Sequence, residues 1–219
     1  MCIRDSDYGE DSDFVKVRVR GVFPSASAKQ FINREDVDAA MNRDVGQINY
    51  SRTVAILGVD VAREGDDRSA IATKIGRDCT MPLKVFRGLD GPQLGMQVLM
   101  YANELKAKGI PRVYINLDYT GVGASPYDWL KDKVQHLNKV ISASQSTNPQ
   151  RWANKRAEMW DKMRDFIRDD GVIPKSEELA EDLCIPEKLI DQKGRLLLES
   201  KDSMKRRGMN SPDTADALA

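Results

Sequence analysis

Two aspartates lie at the ends of apolar segments, where a charged side chain needs a partner. Asp60 falls within residues 53–62, a run rich in β-branched residues that is typical of a strand buried on both faces. A buried carboxylate without a partner is costly. Asp118 follows the apolar segment 113–117 and precedes a glycine-bearing turn. Taken singly, Asp60 could pair with a buried arginine or cap a loop, and Asp118 could cap a helix.

Two further aspartates, Asp213 and Asp216, lie three residues apart near the end of the chain. This spacing places both on one face of the helix that Ser211-Pro212 is predicted to begin. The helix dipole favours an acid in the first turn, which would explain Asp213 but not Asp216. In a sheet of strand order 3-2-1-4-5, Asp60 and Asp118 would be neighbours. Carboxylates this close repel each other unless a cation lies between them.

A divalent cation is the simplest partner for such a group of carboxylates. Mg²⁺ and similar hard cations bind carboxylate oxygens, and three or four convergent carboxylates can hold two ions about 4 Å apart. Such ions activate a water molecule and stabilise the leaving 3′ oxygen of a phosphodiester. His136 is the only histidine and is predicted to lie at the surface, so a serine or cysteine nucleophile would lack its usual base. The pattern indicates phosphodiester hydrolysis by metal-bound water.

The predicted elements alternate in the order βββαβαβα, and the chain is long enough to bury a core. The strands are predicted at 53–62, 69–75, 83–86, 113–117 and 140–143, and the helices at 92–108, 125–133 and 155–168. A helix at 177–183, a hairpin around 192–194 and the helix after Pro212 follow. Before them, residues 14–20 are predicted as a strand and residues 34–42 as a helix. Trp129, Trp152 and Trp160 are interpreted as core or groove-wall residues.

The charge balance limits where nucleic acid could bind. The 34 basic and 34 acidic residues give a formal net charge of zero, so a nucleic-acid surface would have to be local. One basic stretch precedes the acidic helix and would meet phosphates beside the scissile bond: Lys201, Lys205, Arg206 and Arg207. A solvated charged face is the alternative interpretation of that stretch.

Cysteine usage and hydropathy indicate the compartment. The cysteines, Cys2, Cys79 and Cys184, are odd in number and widely spaced, so neither a disulfide framework nor a zinc site is expected. A reducing cytosol fits this usage. There is no apolar run of about 18 residues that could span a membrane, and the N-terminus lacks the apolar core of a secretion signal. The protein is expected not to be secreted and to have no membrane partner.

Three segments together resemble the nuclease motifs of the large terminase subunit of tailed bacteriophages. They are Gly58-Val59-Asp60-Val61-Ala62 with Gly65-Asp66-Asp67-Arg68, Leu117-Asp118-Tyr119-Thr120-Gly121-Val122-Gly123, and Ser211-Pro212-Asp213-Thr214-Ala215-Asp216-Ala217-Leu218. Residues 8–14, 154–160 and 199–208 are also similar to that family, so the resemblance covers nearly the whole chain. Each motif alone is weak, whereas the three together are specific.

The resemblance implies an α/β fold of the RNase H-like type. Its mixed five-stranded sheet would have the order 3-2-1-4-5, with strand 2 antiparallel and helices on both faces. Asp60, Asp118 and Asp216 would bind two Mg²⁺ or Mn²⁺ ions, with Asp213 as a fourth ligand. The implied activity is endonucleolytic cutting of double-stranded phage DNA during genome packaging.

The resemblance also implies partners and a location. In the full-length protein the partners would be the terminase small subunit and the portal. The protein would act in the cytoplasm of the infected bacterium and would not be a stable component of the virion.

The sequence departs from a complete large terminase in two respects. No GxxxxGK[ST] phosphate loop occurs, so the chain is interpreted as a fragment that lacks the ATPase domain. We divide it into a lead-in or linker segment at 1–50 and a nuclease domain at 51–219. Residues 1–6 do not resemble the family and are interpreted as non-native. The family's C-terminal tail is absent, so the nuclease domain is expected to be truncated at its C-terminus.

Three alternatives stay open at this point. A RuvC-like, structure-specific resolvase also ends in a helix with acids three residues apart, but the lead-in segment and Ser200-Lys201-Asp202 favour terminase. The actin-like kinase and ATPase group needs a DxGxT-type turn, whereas Asp60 is followed by Val61-Ala62-Arg63. A catalytically silent fragment could dock only onto DNA or the packaging machine.

Overall fold

The computed structural model describes residues 29–62 and 68–219, and its centre is a five-stranded sheet of order β3-β2-β1-β4-β5. β1 pairs antiparallel with β2 and parallel with β4, which pairs parallel with β5; β2 pairs antiparallel with β3. The predicted order and the antiparallel direction of strand 2 are therefore confirmed. The strands are β1 Val54–Asp60, β2 Ser69–Ile75, β3 Lys84–Phe86, β4 Arg112–Asp118 and β5 Leu137–Val140.

Seven α-helices and a small hairpin surround the sheet within the described ranges. The helices are α1 Arg34–Asn42, α2 Gly91–Ala107, α3 Ala124–Leu130, α4 Lys155–Asp169, α5 Glu177–Cys184, α6 Lys201–Arg206 and α7 Asp213–Leu218. The hairpin pairs β6 Lys188–Ile190 with β7 Leu196–Leu198. Short 3-10 turns occupy Tyr50–Arg52 and Gly121–Gly123. Of the helices described, none is both long and apolar enough to cross a membrane.

Most predicted elements agree with the structure to within one to three residues at each end. The fifth strand is displaced: it was predicted at 140–143 and lies at Leu137–Val140, because Ile115 of β4 pairs with Leu137. The apolar Val140 and Ile141 suggested the later position, but Ile141 accepts a turn hydrogen bond from Ser144. Helix α6 was not predicted, since Met204 is its only buried residue. The predicted strand at 14–20 and turn at 65–67 lie outside the described residues.

Helices cover both faces of the sheet, as expected. Ala55, Leu57 and Val59 of β1 pack into one core with residues of α2, including Leu94 and Val98. Successive strand residues point to opposite faces, so Gly58 faces the other side, and there it meets α7. A second core lies among α1, α4, α5 and β7. The carboxyl ends of β1 and β4 thus lie between two layers of packed helices.

The segment before β1 contributes to the second core. Phe31, Ile32 and Val37 are buried there against Trp160 of α4, with the Phe31 and Trp160 ring centroids 6.2 Å apart in an edge-to-face arrangement. The N-cap Asn33 accepts a hydrogen bond from the Asp36 N–H and so begins α1. Residues 29–42, which the sequence placed in the lead-in segment, therefore pack with the elements that follow.

Candidate active site

Asp60 and Asp118 occupy neighbouring strand ends. The parallel register of β1 and β4 runs to Val59 beside Leu117, and each aspartate is the next residue along its strand. Asp60 is only 6% exposed. Asp118 is more accessible, and its Oδ1 accepts a hydrogen bond of 2.9 Å from the Thr120 N–H, which closes the turn after β4. This bond belongs to the turn and is not a helix cap, because neither the 3-10 turn Gly121–Gly123 nor α3 has a side-chain cap hydrogen bond.

The turn after Asp118 is close enough to require glycine. A β-carbon on Gly123 would lie 1.8 Å from the carbonyl oxygen of Asp118. Gly121 has φ +66°, a conformation that side chains other than glycine rarely adopt. Gly121 and Gly123 therefore allow the chain to fold back tightly over the end of β4. Asp118 is the last residue before this turn.

Helix α7 brings the other two aspartates to the same edge. It packs across β1 and β2, and its N-terminus lacks a side-chain cap of its own because Pro212 occupies that position. Asp182 of α5 supplies the missing acceptor: its Oδ2 accepts hydrogen bonds from the Thr214 N–H (3.1 Å) and hydroxyl (2.5 Å). Asp213 and Asp216 are thereby directed towards the end of β1.

Lys201 lies among three of these aspartates. Its Nζ is 3.5 Å from Asp60 Oδ2, 3.6 Å from Asp213 Oδ1 and 3.0 Å from Asp216 Oδ2. We call Asp60, Asp118, Asp213 and Asp216 the carboxylate cluster. The sequence predicted Lys201 as a phosphate contact; in the structure its ammonium group lies among three carboxylates of the cluster.

Asp216 is the most heavily bonded member of the cluster. Arg156 of α4 donates to both of its carboxylate oxygens at 3.1–3.2 Å, and the Trp160 indole N–H donates to Oδ1 at 2.9 Å. A further Arg156 nitrogen donates to the Glu199 carbonyl oxygen at 3.0 Å, which fixes the guanidinium group. These partners were missed in the sequence, although Arg156 and Trp160 are four apart and share a helical face.

The charges of the cluster shift the pKa values of its members in different directions. Burial raises the pKa of Asp60 to about 7; the ammonium group of Lys201 opposes the rise, and the other three aspartates add to it. For Asp216, burial alone would raise the pKa, but the charges of Arg156 and Lys201 and the bonds it accepts lower it. Burial lowers the pKa of Lys201, yet the charges of Asp216 and Asp60 outweigh this and raise it above the ordinary value of 10.5. The carboxylates around Lys201 therefore stabilise its charged form.

The carboxylate oxygens of the cluster are ligands of the kind that hard divalent cations prefer. Several carboxylates converge, and burial, together with the charges of the other three aspartates, raises the pKa of Asp60. Within residues 29–62 and 68–219, however, no three His, Cys, Asp or Glu side chains are arranged so that they could hold a metal ion directly. The ammonium group of Lys201 occupies the space among them, and its side chain is 38% exposed, so solvent can reach it. A divalent ion bound by the cluster would have to displace this group.

The remaining predicted phosphate contacts lie in different surroundings. Lys205 lines a cavity of about 820 Å³ that opens over the cluster, and Arg206 is exposed. Arg207 is bound elsewhere: it pairs with Glu199 at 2.6 Å and lies 3.7 Å from Glu187. Among the described residues, no ion pair includes Lys205 or Arg206 of this basic stretch.

His136 and the three tryptophans pack against other residues of the fold. His136, predicted to lie at the surface, is partly buried and stacks on Tyr114 with ring centroids 4.4 Å apart. Trp160 is fully buried and Trp152 is 8% exposed, as expected of core residues. Trp129 packs on Gly95 of α2, where a β-carbon would lie 2.6 Å from its ring.

Comparison with known proteins links this fold to one group of solved structures. No family model and no curated protein sequence matches the chain. The nuclease domain of the large terminase subunit of bacterial virus Sf6 matches with a TM-score of 0.67 and 21% identity, over 86% of this chain and 96% of that one.

Two further solved structures that match are large terminase nuclease domains of a thermophilic phage and of a Thermus phage. The large terminase nuclease of thermophilic phage G20c, with bound magnesium, matches with a TM-score of 0.62 and 11% identity, over 88% of this chain and 97% of that one. The large terminase nuclease domain of Thermus phage P74-26 matches with a TM-score of 0.54 and 11% identity, over 84% and 93%. The chain has the RNase H-like fold of the phage large-terminase nuclease domains.

Proposed function

We propose that this chain is a metal-dependent endonuclease domain that cuts double-stranded phage DNA during genome packaging, as part of a large terminase subunit. The observation that carries the proposal is the convergence of four aspartates at the carboxyl ends of β1 and β4, beside α7. This acidic centre lies in a fold shared with terminase nuclease domains. Phosphodiester hydrolysis is the chemistry that such a centre supports.

The proposed cofactors are two Mg²⁺ or Mn²⁺ ions held by Asp60, Asp118, Asp213 and Asp216. A mutant nuclease domain of the Sf6 large terminase subunit has been solved with manganese, and a mutant gp2c of that subunit with calcium. The large terminase nuclease of phage G20c has been solved with magnesium and with cobalt. When bound, such ions supply an activated water molecule and charge stabilisation for the leaving oxygen.

The chain's own residues orient this centre. Arg156 and Trp160 orient the Asp216 carboxylate through hydrogen bonds, and the hydrogen bonds from Thr214 to Asp182 hold the start of α7. The neighbouring carboxylates raise the pKa of Lys201 above its ordinary value, which favours a role as a cation over a role as a general base. A water molecule attacking the phosphorus would therefore lose its proton to the substrate phosphate or to solvent.

The proposed substrate and partners follow from the same assignment. Lys205 and Arg206 would contact phosphates of the duplex beside the acidic centre. The terminase small subunit and the portal would be partners of the full-length protein, and the site of action would be the cytoplasm of the infected bacterium.

A plasmid-cleavage assay tests the proposal. The purified chain is incubated with supercoiled plasmid in Mn²⁺, Mg²⁺ or EDTA beside two variants, Asp60→Asn and the exposed control Asp132→Asn. We expect metal-dependent nicking by the wild type and the control. Asp60→Asn should lose it by more than about a hundredfold, because removing one group that stabilises the transition state costs about 10²–10³ in rate. Full activity of a folded Asp60→Asn variant would contradict the assignment.

One observation favours a second candidate, a silent domain that only docks onto DNA or the packaging machine. Lys201 already neutralises part of the carboxylate cluster, as a structural ion pair would. No cleavage by a folded wild-type chain, together with no calorimetric heat of metal binding, would support this candidate. A RuvC-like resolvase would instead cut four-way junctions in preference to linear duplex.

A further inference from the structure

An arrangement of one lysine and two tyrosines lies beside Asp118 on the β5 side of the cleft. Lys139 pairs with Leu117 in the sheet, and Tyr119 directly follows Asp118. The Lys139 Nζ lies 4.1 Å from the centroid of the Tyr119 ring and 4.5 Å from that of Tyr127. The two rings meet edge to face with centroids 5.3 Å apart. The ammonium group is thus held against two aromatic faces.

Lys139 forms no ion pair with a carboxylate in the described part of the chain. Four other basic residues that line the cavity are paired with carboxylates. Arg156 and Lys201 pair with Asp216, and Lys155 and Lys162 share the buried Glu158. Lys139 is exposed and lines the same cavity as Asp60 and Asp118.

The rings also determine where this charge can lie. A flexible lysine next to an excess of negative charge would fold onto the nearest carboxylate, as Lys201 does. Lys139 is instead retained by Tyr119 and Tyr127, so that it neutralises none of the carboxylates and faces the open cleft. An oriented, unpaired cation beside an acidic centre is suited to a polyanion that has to approach that centre.

We propose that Lys139, oriented by Tyr119 and Tyr127, binds a backbone phosphate of duplex DNA on the β5 side of Asp118, across the cleft from Lys205. This inference rests on the proposed nuclease function, since it assumes a phosphodiester strand at the carboxylate cluster. It places phosphate contacts on both walls of the cleft. The sequence indicated only one of these walls, the basic stretch before α7.

Salt-dependent DNA binding tests the inference without requiring cleavage. Binding of a short fluorescent duplex is followed by anisotropy in EDTA over a series of salt concentrations, for wild type, Lys139→Ala, Lys139→Arg and the control Lys106→Ala. Lys106 is an exposed lysine in the last turn of α2, outside the cavity. Lys139→Ala should lower the slope of log K against log salt by about 0.9, the value for one phosphate contact. Lys139→Arg and Lys106→Ala should keep the wild-type slope.

Two substitutions at Tyr127 test whether its ring orients Lys139. Tyr127→Phe keeps the ring and should bind as the wild type does. Tyr127→Leu removes one ring face while Lys139 stays, so the affinity should fall several-fold with the salt slope nearly unchanged. Equal affinities of the two variants, with equal melting temperatures, would contradict the orienting role of Tyr127.

The outcomes separate this inference from the proposed function. Wild-type cleavage with a salt slope that does not depend on Lys139 would overturn the inference and leave the nuclease assignment intact. A Lys139-dependent slope without metal-dependent cleavage would support the phosphate contact and contradict the nuclease. No binding of duplex by the folded wild type, even at low salt, would also overturn the inference.

Discussion

A β-carbon on Gly58 would lie 1.9 Å from the carbonyl oxygen of Ala217. The backbone of α7 thus contacts the backbone of β1 directly, with no side chain between them. This close approach brings Asp213 and Asp216 within reach of the lysine that also contacts Asp60. Glycine is needed at position 58 for space, since the position lies within a regular strand.

Gly58→Ala should therefore damage the active centre more than the fold. The methyl group must push α7 away from β1, and overpacking of this kind costs about 1–3 kcal/mol. We expect a chain with a native-like circular dichroism spectrum and cleavage reduced by up to about a hundredfold, the effect of a displacement of about 1 Å at an active centre.

The matched control for this substitution is Gly88→Ala. Nothing lies within 4 Å of a β-carbon at Gly88, whose φ is +64°, so only backbone strain of about 1–2 kcal/mol is added there. Cleavage by Gly88→Ala should stay near the wild-type value. Equal losses in the two variants would show that destabilisation, and not the position of α7, reduces activity.

Metal binding should weaken as the pH falls below about 7. The pKa of Asp60 is raised to about 7, and a divalent ion binds the deprotonated carboxylate, so protonation competes with the metal. Isothermal titration with Mg²⁺ between about pH 6 and 8 measures this dependence. An affinity that does not change over this range would contradict the raised pKa.

The raised pKa of Asp60 also affects the metal-free chain, whose stability should fall as the pH rises, whereas metal binding strengthens. Because the folded-state pKa of Asp60 exceeds its ordinary value of 3.8, its contribution to stability is present below that value and is lost as the pH rises through about 7. Asp60→Asn cannot ionise, so its free energy of unfolding should fall less than that of the wild type over this window. Denaturant unfolding in EDTA at several pH values makes the comparison.

Lys201→Met should make the fold depend on divalent ions. Removal of the ammonium group leaves the carboxylate cluster without its nearest cation. We expect the free energy of unfolding in EDTA to fall by roughly 1–3 kcal/mol, below the range for fully buried pairs because Lys201 is partly exposed. Divalent ions should then bind more tightly, by about tenfold or about 1.4 kcal/mol, since no ammonium group has to be displaced.

The control for this variant is Lys205→Met, one turn further along. Lys205 lines the cavity but has no ion pair among the residues that the structure describes. The melting temperature of the Lys205→Met variant should respond to Mg²⁺ as that of the wild type does. If Lys201→Met shows the same response as well, the ammonium group does not compete with metal.

Asp182→Ala should loosen the start of α7. The Thr214 N–H and hydroxyl would lose their common acceptor in a buried position, and an unsatisfied buried donor costs about 1–3 kcal/mol. Asp182→Asn keeps an acceptor oxygen and should retain most of the stability and cleavage. Hydrogen exchange of the α7 amides would report the loss in the alanine variant, and unchanged protection would contradict the capping role.

Much of the sheet was predictable because strand signals are local. The apolar, β-branched segments around Asp60 and Asp118 locate β1 and β4, and each aspartate ends its strand. The parallel register then makes the two aspartates neighbours without further information. By contrast, β5 has only four residues and α6 only one buried side chain, so neither carries a strong periodic pattern.

The sequence by itself therefore determined which carboxylates can converge: the ends of two adjacent strands, and one face of a short helix. The tertiary structure alone decided how their charge is neutralised. Arg156 reaches Asp216 across a separation of 60 residues, Lys201 turns inward to three aspartates, and Arg207 turns away to Glu199. Secondary structure depends on patterns that repeat along the chain, whereas an ion pair depends on which distant elements pack together and on how deeply they bury each charge.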